Sequence, residues 1–224
     1  MSVAAGFDDA GWCRIASDLA PEVLSAVSES IPASDDGAGS RRLLDRPACA
    51  ALVAPLRSRL VALGLLAADA VAVQCTSFRK SAACNWKVPY HQDLSVPVIE
   101  RIEHSALGGW SVKEDGVYVQ PLLPLLDELL AVRLHLDPCD ADAGALRVMP
   151  RSHRLGRLSP SAIAALDKRR QEVVCDAEAG DLLLMRPLLL HASSRARRPN
   201  GRRVLHFLFA PPDPGCGLRW RVAL

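Results

Sequence analysis

The amino-acid sequence predicts a mainly β protein with flanking α-helices, arranged as a double-sheet barrel. Three observations lead there. Through the first third of the chain, apolar residues recur at helical spacing. From Ala70 onward the period changes to two, the pattern of strands with one face buried. After that, short apolar runs follow one another with Gly and Pro turns between them, and no internal repeat or linker interrupts the series. Helices first and many short strands afterwards suit two facing sheets with helices packed beside them.

The 224 residues are half hydrophobic, enough for one sizeable core. Single β-barrel domains often run to about 200–250 residues. One domain is therefore expected over 1–224, with 1–69 as a helical flank and 70–210 as the barrel core. The 27 basic and 25 acidic residues leave a net charge of +2, which gives no ground for a nucleic-acid or acidic-membrane partner. The seven cysteines are scattered, odd in number and without a C-x-x-C pair, so they read as reduced thiols of a cytoplasmic protein. The N-terminus lacks the basic stretch and apolar core of a secretory leader, and no apolar run suffices to span a membrane.

Taken in order, residues 18–31 read as an amphipathic helix capped by Asp18, with Leu19, Val23, Leu24 and Val27 on one stripe. A loop is expected over 32–39, rich in Ser, Asp and Gly. A second helix is expected over 47–65, its stripe of Leu52, Leu56, Leu60 and Leu63 facing the core. Val71, Val73 and Cys75 alternate with Ala72, Gln74 and Thr76 in a strand that continues to Lys80. A loop over 81–87 precedes a strand running through Val98. Residues 100–119 are polar and Gly-containing and read as a long loop, a lid over the site. Further strands are expected over 127–137, 146–149, 173–175, 182–185 and 203–209, with a helix over 159–170 and a basic hairpin loop over 195–201.

Within the strand after Lys87 stands Pro89-Tyr90-His91-Gln92-Asp93. In extended backbone, residues two apart point to one face, so His91 and Asp93 can reach one ion. The best third ligand is His191, in Pro187-Leu-Leu-Leu-His191-Ala-Ser-Ser. Two imidazoles and one carboxylate on one face of a metal leave three positions open, an arrangement suited to non-heme Fe(II) that binds a co-substrate and O₂ together. The alternative for each residue is an ordinary core or surface polar role.

Several segments in order then resemble a known family. They are Asn85-Trp86-x-x-x-x-His91-Gln92-Asp93, then Leu134-His135-Leu136-Asp137 followed by Gly144-Ala-Leu-Arg-Val-Met-Pro150-x-Ser152-His153-Arg-x-Gly156, and then Gly180-Asp181-x-x-x-Met-x-Pro187-x-x-x-His191-x-Ser. Over roughly 70–210 the chain resembles the phytanoyl-CoA dioxygenase-like, Fe(II)- and 2-oxoglutarate-dependent oxygenases. The resemblance implies a double-stranded β-helix, a cupin-like jelly-roll barrel. It implies His91, Asp93 and His191 as iron ligands, with 2-oxoglutarate and O₂ as co-substrates. It also implies hydroxylation of an unactivated C–H of a small molecule, with 2-oxoglutarate decarboxylated to succinate and CO₂. Related halogenases carry a small residue in place of the carboxylate, so Asp93 implies an oxygenase. Arg202, eleven residues past His191 (202 − 191), stands at the spacing the family uses for the residue that binds the far carboxylate of 2-oxoglutarate. Arg203 is its rival, because only one of the two can point inward. Gln74, Thr76 and Trp110 are candidates to line the co-substrate or substrate pocket. His135 faces either a barrel site or a structural hydrogen bond, Ser152 and His153 close a turn, and His104 and His206 have no assigned role. Arg195, Arg197 and Arg198 form a solvated loop or, alternatively, meet an anionic substrate.

Two departures stand out. The family usually has Gly at the position of Arg151, and Asn-Gly-Pro where this chain has Ala143-Gly144-Ala145. Other outcomes of the same cofactor chemistry (desaturation, epimerisation, cyclisation) remain open, as does a cupin-like binding protein without catalysis. A zinc hydrolase is disfavoured because no general-base Glu stands near the motif.

Overall fold

The structure, a computed structural model, describes residues 2–31, 40–113, 116–167 and 172–224. The loop expected over 32–39 and the far end of the helix expected over 159–170 lie outside them. In chain order the elements are α1 (Val3–Ala10), β1 (Trp12–Ala16), α2 (Pro21–Ser30), a 3-10 turn (Leu43–Asp45), α3 (Pro47–Ala50), α4 (Val53–Ala62), β2 (Val71–Ser81), β3 (Val88–His91) and β4 (Val96–Val98). Then come β5 (Gly108–Lys113), β6 (Gly116–Gln120), α5 (Leu123–Glu128), β7 (Leu130–His135), β8 (Leu146–Val148), a second 3-10 turn (Ser152–Leu155), α6 (Pro160–Ala165), β9 (Val173–Cys175), β10 (Asp181–Met185), β11 (His191–Ser193) and β12 (Asn200–Ala210).

Two antiparallel sheets face each other as a jelly roll. The larger runs β1-β10-β7-β12-β2 and the smaller β3-β11-β8-β9, while β4-β6-β5 forms a third sheet beside them. Alternation along the large sheet sorts its residues cleanly. Leu130, Val132 and Leu134 of β7, with Leu205, Phe207 and Phe209 of β12, are buried outward against Phe7 of α1, Val27 of α2 and Leu52, Leu56 and Leu60 at α4. The intervening Ala131, Leu183 and Leu208 pack inward with Val148 and Leu189 of the facing layer. Burying this much apolar surface on one side is what fixes the register, since a one-residue slip would turn every side chain to the other face.

Several expectations need correction. The first 69 residues are not purely helical: β1 pairs with β10 and forms an edge of the large sheet. The first helix starts at Pro21, and Asp18 does not cap it; its carboxylate pairs instead with Arg59 Nη2 at 2.8 Å. The helix expected over 47–65 is broken into α3 and α4. Its apolar stripe nonetheless lands in the core as expected. Residues 100–119 are not a plain loop but carry the β5–β6 hairpin. In β2 a register irregularity opposite Leu208 and Phe209 puts Val73 inward and Cys75 outward, so the alternation from Val71 to Cys75 does not mark one face.

Candidate metal centre and active site

The strand that carries His91 ends at that residue, and His91 pairs in register with His191, the first residue of β11. Asp93 therefore lies past the strand rather than in it. Its side chain still turns to the histidines because its backbone N–H is held by the Pro187 carbonyl at 2.9 Å. Asp93 Oδ1 is 3.6 Å from His91 Nε2 and Asp93 Oδ2 is 3.6 Å from His191 Nε2. All three ligand atoms fall within 4.8 Å of one another.

The donor chemistry fits a metal. The Nδ1–H of His91 donates to the Pro89 carbonyl and that of His191 to the Leu189 carbonyl, both at 2.9 Å. A carbonyl can only accept, so each ring keeps its Nε2 lone pair free toward the shared point. Burial pushes His191 down to about 4, which keeps it neutral at physiological pH. Burial pushes the Asp93 carboxyl up, but the basic groups facing it, Arg133 among them, outweigh that and hold it below the ordinary range. Two imidazoles with their Nε2 atoms turned to one point and one carboxylate, all facing one cavity, are a ready ligand set for Fe(II).

Neighbouring segments brace these ligands. Gln92 points away from the metal face; its amide nitrogen donates to the Gly156 and Leu188 carbonyls at 2.8 and 2.7 Å, and its oxygen accepts from Leu158 N–H at 2.8 Å. Ser152 Oγ donates to the Met149 carbonyl and accepts from Leu190 N–H, next to His191. Asn85 ties its own loop to Ala196 with two bonds of 2.8 Å. Several of the Asn, Gln and Ser side chains in the recognised segments thus hold the loops in place.

The triad opens into a cavity of about 330 Å³. Arg202 lines it and is only 4% exposed, with Nη2 bonded to the Gly144 carbonyl at 2.9 Å and Nε to that of Ala143 at 3.4 Å. Gly144 sits at φ 74°, and a Cβ there would come within 2.9 Å of the Ser194 carbonyl, so the turn that seats Arg202 requires glycine. Arg203 turns the other way and forks onto Asp137 at 2.9 Å through both Nε and Nη2, while Nη1 reaches the Ser28 carbonyl. Gln74 and Thr76 line the cavity and bond to each other at 2.9 Å. Trp110 is not brought there. Its ring lies in a separate shallow groove under Arg101, because the β5–β6 hairpin carries it outward.

Three cavity residues escaped the sequence reading. Lys80, 1% exposed, donates to Ser193 Oγ at 3.1 Å and to the Ser194 carbonyl; burial pushes it down to about 8. Arg133 and His206 sit side by side on β7 and β12, Arg133 Nη1 donating to His206 Nδ1 at 3.2 Å. The period of two could have found all three. Lys80 is in phase with Gln74 and Thr76, Arg133 with His135, and His206 with Arg202. His135 is buried away from the cavity with both ring nitrogens unpartnered among the described residues.

A model of the family described as phytanoyl-CoA dioxygenase matches residues 7–204. The chain belongs to the phytanoyl-CoA dioxygenase family. Membership agrees with the resemblance read from the sequence and makes the protein a member of a family of iron- and 2-oxoglutarate-dependent oxygenases. No curated protein matches the chain in sequence. Solved structures share the fold. EctD from S. alaskensis with 2-oxoglutarate and 5-hydroxyectoine is 18% identical with a TM-score of 0.68, covering 94% of this chain and 76% of that one. SnoK, a non-heme alpha ketoglutarate dependent carbocyclase from nogalamycin biosynthesis, is 14% identical with a TM-score of 0.66, covering 96% and 86%. HygX from Streptomyces hygroscopicus with nickel and 2-oxoglutarate is 15% identical with a TM-score of 0.62, covering 92% and 84%.

Proposed function

We propose that this protein is an Fe(II)- and 2-oxoglutarate-dependent oxygenase that hydroxylates an unactivated C–H bond of a small molecule, with 2-oxoglutarate converted to succinate and CO₂. One observation carries the reading: His91, Asp93 and His191 converge at one end of a cavity that also holds the buried Arg202 guanidinium. Iron bound there would supply the oxidising chemistry that couples decarboxylation of 2-oxoglutarate to attack on the substrate. His91 and His191 would offer their Nε2 atoms and Asp93 a carboxylate oxygen, which would leave the cavity side free for co-substrate. Arg202 holds the far carboxylate of 2-oxoglutarate, since a guanidinium stays charged when buried and matches a carboxylate. Gln74 and Thr76 complete that wall. Phe78, Trp86 and Tyr118 line the same cavity and keep water from the reacting centre. The chain acts as one domain, because β1 joins the barrel from one end of the sequence and Leu224 pairs with Ala72 from the other. No helix among the described residues is long and apolar enough to cross a membrane. With its seven free cysteines, the cytoplasm is the proposed location.

The test is succinate formation with Fe(II), 2-oxoglutarate and ascorbate. Iron binding without any succinate in the presence of a metabolite mixture would favour a binding protein instead. A second outcome, ring formation or desaturation, draws support from the likeness to SnoK, and mass spectrometry of the product separates it from hydroxylation by the absence of an added oxygen.

A further inference from the structure

Three cations in the cavity are more than nine-tenths buried: Lys80, Arg133 and Arg202, at 1%, 8% and 4% exposure. Among the described residues none of them lies within salt-bridge distance of a carboxylate. Removing a cation from water without a counter-charge is costly, so a buried one without an anionic protein partner is placed to meet an anionic ligand. The proposed co-substrate reaches two of the three. Its far carboxylate, a single charge, meets Arg202 with Lys80 beside it, and its other carboxylate together with Asp93 balances the two charges of Fe(II). Lys80 also donates to Ser193 Oγ and to the Ser194 carbonyl, whereas Arg133 has only the His206 ring and no place on the co-substrate.

The surroundings of Arg133 point the same way. Arg133, His206 and Thr76 stand in one row across β7, β12 and β2, and all three line the cavity. Arg133 spends one N–H on the neutral His206 Nδ1 at 3.2 Å, and its Nε has no partner. Its guanidinium lies 5.3 Å from the Phe78 ring centroid, which supports the charge but does not neutralise it. Apolar walls from Phe78, Tyr118, Leu129 and Leu208 stand ready for the body of a small molecule.

We infer that Arg133 binds an anionic group of the primary substrate, so that the substrate class is a small molecule bearing a carboxylate or a phosphate rather than a neutral one. The inference rests on the oxygenase reading for the assignment of Arg202 and Lys80 to 2-oxoglutarate.

The test uses the holoprotein with saturating Fe(II) and 2-oxoglutarate under exclusion of oxygen. Acetate and inorganic phosphate, both too small to be excluded by shape, are titrated at constant ionic strength against chloride, and the rise in Tm gives Kd. At least one of the two is expected to raise the Tm of the wild type, and which of them does so distinguishes the carboxylate from the phosphate source. In Arg133→Met the affinity for that oxyanion should fall at least tenfold, while the Kd for 2-oxoglutarate changes less than threefold. Without added acetate or phosphate, Arg133→Met should melt at or above the wild-type temperature, because an apolar side chain of similar length replaces a buried charge that lacks an anionic partner. A wild type indifferent to both oxyanions overturns the proposal, as does an unchanged oxyanion affinity in the variant. A tenfold loss of 2-oxoglutarate affinity assigns Arg133 to the co-substrate, and a clear fall in Tm without added acetate or phosphate makes it structural; either overturns the proposal. If Arg133→Met does not fold, Arg133→Lys gives the same comparison: a threefold or larger loss of oxyanion affinity with 2-oxoglutarate unchanged supports the site, and no loss overturns it. Should the wild type form no succinate yet bind oxyanions through Arg133, the oxygenase reading fails and the anion site stands.

Discussion

The two faces of the large sheet are made by the same strands and do opposite things. Outward, β7 and β12 present Leu130, Val132, Leu134, Leu205, Phe207 and Phe209 to the helices, all essentially buried. Inward, the alternate positions of the same strands present Arg133, His135, Arg202 and His206. The outer face supplies apolar burial. The inner face carries charge and unpartnered polar atoms at a cost in stability, which the outer face has to cover. Mutations should therefore separate activity from stability according to face, and the variants below test that separation.

The largest effects should come from the triad and its outward counterpart. His91→Ala, Asp93→Ala and His191→Ala should each abolish succinate formation and weaken Fe(II) binding, with the Tm of the metal-free protein within a few degrees of wild type. Phe207→Ala, on the other face, should lose about 3–5 kcal/mol of stability, read by denaturant melts, with the Kd for iron little changed. A triad variant with full turnover would remove that residue from the metal site.

Next come the adjacent arginines, which the sheet divides between its faces. Arg202→Ala should raise the KM for 2-oxoglutarate at least tenfold, since a charge-assisted bond to a desolvated carboxylate is worth about 1.5–3 kcal/mol and about 1.4 kcal/mol is tenfold. Arg203→Ala should leave that KM nearly unchanged and instead cost about 1–3 kcal/mol of stability, because it strands Asp137. The reverse pattern would mean that the inner and outer assignments of β12 are exchanged.

A smaller effect concerns pH. Burial pushes His135 from its ordinary value of 6.5 down to about 3. The unfolded chain then takes up the proton first on acidification, so the stability tied to neutral His135 is complete above about 6.5 and is lost as pH falls toward about 3. His135→Leu should flatten that acid limb and gain about 1–2 kcal/mol at neutral pH by removing two unpartnered ring nitrogens. Melting curves between pH 7 and 4 that superimpose for wild type and variant would contradict this.

The smallest effect lies away from both faces. Arg151 occupies the left-handed region at φ 68°, where the family usually has glycine, and its side chain reaches Asp9 on α1 at 2.6 Å. Arg151→Gly relieves the backbone strain and loses a largely exposed ion pair, two terms of about 1 kcal/mol with opposite signs. Stability should move by less than about 1 kcal/mol and substrate preference not at all, which a Tm and a substrate panel check.

Much of this was legible beforehand. The shift of period at Ala70 marks the start of β2, and the stripe from Leu52 to Leu60 marks the helix face that packs on the sheet. Alternation in β12 separates Arg202 from Arg203, and the structure places them on opposite sides. What escaped depends on partners far away in sequence. β1 is five residues long and becomes a strand only by pairing with β10, which no local pattern announces. Asp93 joins the metal face through a carbonyl bond to Pro187, not through strand geometry. Arg133 sits in a run of Leu, Ala and Val and is legible as a site residue only once His206 is seen beside it. Trp110 was misplaced because likeness to a family position says nothing about which way a hairpin carries its side chain.

The pairing of His91 with His191 also bears on how the protein is made. The two ligands are 100 residues apart (191 − 91), and β1 at residues 12–16 waits for β10 at residues 181–185. Contacts of such long range form late and slowly. A growing chain on the ribosome therefore exposes two of the three metal ligands and one unpaired strand until nearly its whole length has emerged. Iron captured with full affinity would report that the barrel has closed, and a chain released before residue 191 would carry two ligands and hold the metal poorly.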